Sequence, residues 1–148
     1  MDIVITGGAG FIGRRLSARL VASGHRVTIV DSLLPQIHGD LPTVDLPEGV
    51  DFVRTTIDRL EMAEPALDRA EVVVHLAAET GTGQSMYRIE DYVRTNDFGT
   101  GHLLQTLGRL SRRSRRIILA SSRSVYGEGA YRRADGGDRI IQPDGRTF

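Results

Sequence analysis

Gly7, Gly10 and Gly13 come directly after the apolar run Ile3-Val4-Ile5, and a helical pattern begins directly after them. A buried strand that turns sharply into a helix needs backbone freedom at the turn. Glycines at this spacing supply it, and they leave no Cβ between the chain and a phosphate at the helix start. Two spellings fit, Gly7-x-x-Gly10-x-x-Gly13 and Gly8-x-Gly10-x-x-Gly13. The next helix carries Ile12, Leu16 and Leu20 at four-residue spacing, one face for a sheet, and Gly24 stands where a left-handed C-cap is expected. A second strand over residues 27–30 runs into Asp31, 18 residues beyond Gly13. A dinucleotide-binding βαβ unit places there the carboxylate that accepts hydrogen bonds from the adenosine ribose hydroxyls. The same charge repels a 2′-phosphate, which favours NAD over NADP. Glycines alone also serve ordinary turns; strand, glycines, helix, second strand and terminal acid in this order point to nucleotide binding.

At 148 residues the chain has the size of one ordinary domain and can bury a core. Its 19 basic and 19 acidic side chains cancel, so no long-range field draws it to nucleic acid or to an anionic membrane. No cysteine is present, which excludes disulfides and thiolate metal sites, and no metal site is expected. The first residues enter a strand with no basic segment, apolar span or cleavage site, so the expectation is a cytoplasmic protein. All 19 basic side chains are arginine, which forbids lysine chemistry within these residues. Arg109, Arg112, Arg113, Arg115 and Arg116 form the one charge run, read as a solvated helix C-terminus.

Breakers mark the stretch from Ser32 to Gly49 as a loop. A third strand is expected over residues 50–54 and a helix over 60–69 with Met62, Ala63, Ala66 and Leu67 inward. A fourth strand at Val72-Val73-Val74 is apolar on both faces. A long helix over 86–110 would carry Ile89, Val93, Leu103, Leu107 and Leu110 on one stripe, before a fifth strand over 117–120. Alternating strands and helices with right-handed crossovers imply an α/β, doubly wound parallel sheet of Rossmann type in the order 3-2-1-4-5. The expected organisation is a partial nucleotide-binding domain over residues 1–126 and an irregular tail over 127–148, with the fold cut short after strand 5 and that strand left as an open edge.

Four ordered segments carry a family resemblance: Gly7-Gly8-Ala9-Gly10-Phe11-Ile12-Gly13, His75-Leu76-Ala77-Ala78, Asn96-Asp97-Phe98-Gly99-Thr100 and Ser121-Ser122-Arg123-Ser124-Val125-Tyr126-Gly127. Together they resemble the extended short-chain dehydrogenase/reductases, the NAD-dependent nucleotide-sugar epimerases and dehydratases, over residues 1 to about 130. The stretches Pro35-Gln36-Ile37-His38-Gly39 and Gly83-Gln84-Ser85-Met86-Tyr87 look most like the branch of 4-epimerases that act on deoxyhexoses such as dTDP-rhamnose.

The resemblance implies that Gly7, Gly10, Phe11, Ile12 and Gly13 hold the pyrophosphate of NAD and that Asp31 with Ser32 holds the adenosine ribose. It places Leu76, Ala77, Ala78 and Thr80 along the nicotinamide half, and gives Asn96 the ordering of backbone and solvent beneath the catalytic pair. It makes Ser122 the hydroxyl that shares a proton with the substrate oxygen and Ser124 its substrate-side neighbour, while His75 is read as a core residue. Gly99 and Gly101 would let the long helix pack closely. Family dehydratases carry an Asp-Glu pair where this chain has Arg123-Ser124, so epimerisation or simple redox suits these residues better than dehydration.

Two departures stand out. Where the family has Gly-Asp and an aliphatic residue at adenine, this chain has Thr55-Thr56-Ile57, with Ile57 left to pack on the ring. The family's Tyr-x-x-x-Lys helix is absent, and Tyr87, Tyr92 and Tyr131 have Asp91, Asn96 and Asp135 four places on. The resemblance thus implies the NAD-binding portion of a nucleotide-sugar epimerase, inactive alone, and a homodimer interface of which one helix lies in these residues. The alternative is a stand-alone NAD-binding or sensor module, or a subunit completed by a second chain.

Overall fold

Five short segments rich in Val, Ile and Thr pair side by side, which is the arrangement that β-branched side chains favour on a pleated surface. In the computed structural model, which describes residues 1–39, 44–81, 83–111 and 116–122 with the backbone of 131–132 and 140–141, they are β1 (Asp2–Thr6), β2 (Arg26–Asp31), β3 (Val50–Arg54), β4 (Val72–His75) and β5 (Arg116–Leu119). All four pairings are parallel and the order is β3-β2-β1-β4-β5, as expected from the sequence. Ile3, Ile5, Val27 and Ile29 pack on one face, with Leu16 and Leu20 of α1 (Phe11–Ala22) against them. Val4, Val30 and Val73 pack on the other with Leu67 of α3 (Glu64–Arg69) and Leu103 and Leu107 of α5 (Gly99–Arg109). Gly24 closes α1 at φ +79°, the left-handed cap that the sequence calls for. Among the described residues no helix is long and apolar enough to cross a membrane.

Several expectations change. The Ser32–Gly49 loop contains one helical turn, α2 (Pro35–His38), seeded by Pro35, whose fixed φ suits a first helical position. Helix 60–69 shortens to α3, because Pro65 sits at its start and residues before it turn instead. Met62 is therefore solvent-facing at 70% exposure, while Ala63, Ala66 and Leu67 are buried as expected. The long helix is not uniform: α4 (Ile89–Tyr92) passes through a π-helical turn, Val93–Phe98, into α5. A π turn inserts a residue and rotates the helix on its N-terminal side against the helix on its C-terminal side. Ile89 and Val93 accordingly face outward, and the buried part of the stripe is Leu103 and Leu107. β5 begins a residue earlier than expected and its four residues are exposed at the sheet edge. Further on, β6 (Tyr131–Arg132) and β7 (Ile140–Ile141) pair antiparallel as a separate two-stranded sheet.

The core assignments have a direct test in urea unfolding. Leu67→Ala should lose about 3 kcal/mol through the cavity it opens, whereas Met62→Ala should stay within about 0.5 kcal/mol of the parent.

Candidate functional site

The turn between β1 and α1 is built by contacts that no side chain could occupy. Gly7 has φ +67°, and a Cβ there would lie 2.6 Å from the backbone nitrogen of Ala77, so the turn rests directly on the segment leaving β4. At Gly13 a Cβ would meet the Cα of Gly8 at 2.5 Å, so α1 sits directly on the turn. The N-cap of α1 is Gly10, with no side-chain cap. Helix geometry leaves the first-turn N–H groups of Phe11, Ile12 and Gly13 without intrahelical acceptors, and the helix dipole adds positive potential at that point.

Asp31, at the end of β2, reaches back to this turn. Its Oδ2 accepts a hydrogen bond from the Ala9 N–H at 3.0 Å and its Oδ1 accepts one from the Leu33 N–H at 2.9 Å. His38 Nε2 stands 3.8 Å from Oδ1, with both side chains only 10% exposed. Each carboxylate oxygen offers about two lone-pair sites, so acceptor capacity remains toward the cleft.

A cleft of about 890 Å³ opens above the carboxyl ends of the strands. That is the place where open α/β sheets bind ligands, and the volume suits a large one. Gly7, Gly10, Phe11, Ile12, Gly13, Asp31, Ser32, Ile57, Leu76, Ala77, Ala78 and Thr80 all line it. Ile12, expected on the sheet-facing stripe of α1, is instead 63% exposed and part of this wall. Thr55, Thr56 and Asp58 also border the cleft.

Asn96 is not on the wall. Its Oδ1 accepts from the Glu79 N–H at 2.8 Å and its Nδ2 donates to the Glu79 carbonyl at 3.1 Å, so it holds the segment beyond the end of β4. Gly99 admits Ile57, whose Cγ2 occupies the place of a Cβ, but Gly101 has open space where a Cβ would go, so close packing does not explain it. Ala120 and Ser121 reach the cleft and Ser122 is exposed beside them. Ser124 and Tyr126 lie outside the described residues. Sequence reasoning missed His38, Arg88 and Arg94 as cleft residues, and nothing in their local spacing marks them. Among the described residues no cluster of His, Asp or Glu could hold a metal.

His75 is a satisfied core residue. Thr100 Oγ1 donates to the Asn96 carbonyl at 2.6 Å, so it accepts from His75 Nε2 at 3.0 Å, and Nδ1 is left to accept from the Thr6 hydroxyl at 2.6 Å. This pattern requires the neutral ring with its proton on Nε2. Burial also lowers the pKa of His75 below 6.5. The chain Thr6–His75–Thr100 ties the cleft floor to the helix that carries Asn96.

Comparison with known proteins places these features in a family. The model of the NAD dependent epimerase/dehydratase family matches residues 3–142. The chain is 40% identical over 147 residues to the dTDP-L-rhamnose 4-epimerase of Burkholderia thailandensis, covering 97% of this chain and 40% of that protein. It is 33% identical over 144 residues to the UDP-N-acetyl-alpha-D-glucosaminuronate decarboxylase of Bacillus cytotoxicus, covering 93% and 41%. Among solved structures, MoeE5 in complex with UDP-glucuronic acid and NAD superposes with a TM-score of 0.72 at 29% identity, over 97% of this chain and 43% of that one. The chain thus spans about two fifths of the length of these relatives.

Neutral His75 gives stability a pH dependence of known sign. Its pKa is lower folded than unfolded, so the unfolded chain takes up the proton first, and stability falls as pH drops below 6.5. Denaturation followed between pH 7.5 and 5 should show a shallower decline in His75→Gln than in the parent; equal slopes would remove His75 as the source.

Proposed function

The chain belongs to the NAD dependent epimerase/dehydratase family, and on that footing we propose that its 148 residues form the NAD-binding portion of a nucleotide-sugar 4-epimerase. The observation that carries this reading is the Asp31 carboxylate, fixed by the Ala9 N–H at 3.0 Å beside the uncapped start of α1 and on the wall of a roomy cleft. The fit is chemical as well as spatial. Phosphates need N–H donors and no intervening side chains, and a ribose diol needs a fixed acceptor.

In this reading the N–H groups of Phe11, Ile12 and Gly13 receive the pyrophosphate. Asp31 accepts from the ribose hydroxyls and rejects a 2′-phosphate, with Ser32 beside it. Ile57, held against Gly99, offers an apolar surface to adenine in place of the family's carboxylate contact. Leu76, Ala77, Ala78 and Thr80 flank the nicotinamide, and Asn96 keeps that wall in position through Glu79. When bound, NAD supplies a reversible hydride acceptor for a sugar carbinol. Ser122 and Ser124 take the substrate side by their place in the motif, Ser122 sharing a proton with the sugar oxygen. A general base of the Tyr-x-x-x-Lys kind would need a lysine, and these residues contain none, so this polypeptide by itself binds the cofactor without turning over the sugar. A second copy is the proposed partner of the exposed apolar residues Ile89, Val93, Phe98 and Leu104.

Titration calorimetry with NAD and NADP tests the assignment. NAD should bind more tightly than NADP, and Asp31→Asn should weaken NAD about tenfold, the scale of a lost charge-assisted hydrogen bond, while narrowing the gap to NADP. No heat with either nucleotide would overturn the proposal. Epimerisation of a nucleotide sugar by this chain alone would overturn its inactive part.

A further inference from the structure

The two stretches that sequence alone marks only by likeness, residues 35–39 and 83–87, meet in the fold. Gln36 of α2 donates from Nε2 to Gln84 Oε1 at 2.6 Å, and its own Oε1 accepts from Arg88 Nη1 at 2.7 Å. Arg88 is oriented from its other side by Asp91, whose Oδ2 accepts from Nε at 2.8 Å. Gln36 and Gln84 stand at the exposed rim of the cleft, each next to residues of its walls or joined to one. Leu34, Ile37 and His38 line it from the α2 side, and Arg88 and Asp91 line it from the α4 side. The same turn reaches inward at its last residue, where His38 Nε2 stands 3.8 Å from Asp31 Oδ1.

We propose that Gln36, Gln84 and Arg88 form a clasp that joins the two walls of the cleft and governs how fast the dinucleotide leaves it. The proposal rests on the reading of the cleft as an NAD site. Gln36 has both ends of its amide engaged, donor toward Gln84 and acceptor toward Arg88, so one side chain carries the bridge. Amides and a guanidinium suit this task, because the bonds are strong enough to bias a one-turn helix toward closure and weak enough to open during exchange. α2 is a single turn of four residues, tied to the end of β2 by His38 beside Asp31 and to the facing wall by Gln36, so releasing Gln36 frees its outer side. A dinucleotide held by Asp31 and the glycine turn would then leave only after α2 lifts, and the clasp residues act as positioning residues that never touch the reacting atoms.

Stopped-flow displacement of NADH by excess NAD, read by the nucleotide's own fluorescence, tests this on the purified full chain. Gln84→Ala should speed dissociation about fivefold, the scale of one exposed hydrogen bond. Gln36→Ala, which loses both partners, should speed it further, and adding Gln84→Ala to Gln36→Ala should change nothing more, since the bond is already gone. The melting temperature without nucleotide should be the same in parent and variants, which separates a clasp from a general packing role. Parental dissociation rates in both single variants, with NADH still bound, would overturn the clasp and leave the NAD reading intact. No fluorescence change with the parent chain would overturn both.

Discussion

The hydrogen bond from the Ala9 N–H to the Asp31 carboxylate fixes the end of β2 to the turn that leaves β1. Everything at the cleft is arranged around that tie. The turn can approach so closely because Gly7 rests on the backbone at Ala77, and α1 can start where it does because Gly13 rests on Gly8. A methyl group at either glycine would collide with backbone, so these layers could not approach as they do. Main-chain donors, one acid and three strand ends are thereby brought within reach of one elongated ligand.

Much of this was legible in the sequence because it depends on local rules. Short apolar runs marked the five strands, the glycine spacing marked the turn, and an acid closed the second strand where it now bonds that turn. Twelve of the residues assigned to the cofactor line the cleft. The features that the sequence did not disclose depend on geometry that periodicity does not encode. The π turn at Val93–Phe98 breaks the helical phase, so Ile89 and Val93 looked inward on paper and face outward in the fold. Asn96 was marked by likeness as a residue that orders backbone, but which backbone it holds, that of Glu79 17 residues away, no local pattern signals. Met62 looked buried because its spacing fits a helix that Pro65 does not allow to start in time.

The polar groups that organise the site form two separate systems. Thr6, His75, Thr100 and Asn96 make a largely buried chain beneath the segment leaving β4, with each donor matched to one acceptor, so it holds one arrangement of β4 and the helix behind it. Gln36, Gln84, Arg88 and Asp91 make an exposed chain across the walls, where water competes for every bond. The first suits a fixed floor and the second a part that opens. A cofactor that must be held through a catalytic cycle yet still be loaded calls for both.

The claim on which the account stands is that the start of α1 and Asp31 together hold the phosphates and ribose of NAD. The most direct measurement is an NMR titration of the ¹⁵N-labelled chain with NAD, following the backbone amides of Ala9, Phe11, Ile12 and Gly13. These amides should move together as NAD is added and move less with Asp31→Asn at the same concentration. Amides at the glycine turn that stay in place while NAD is bound elsewhere would contradict it.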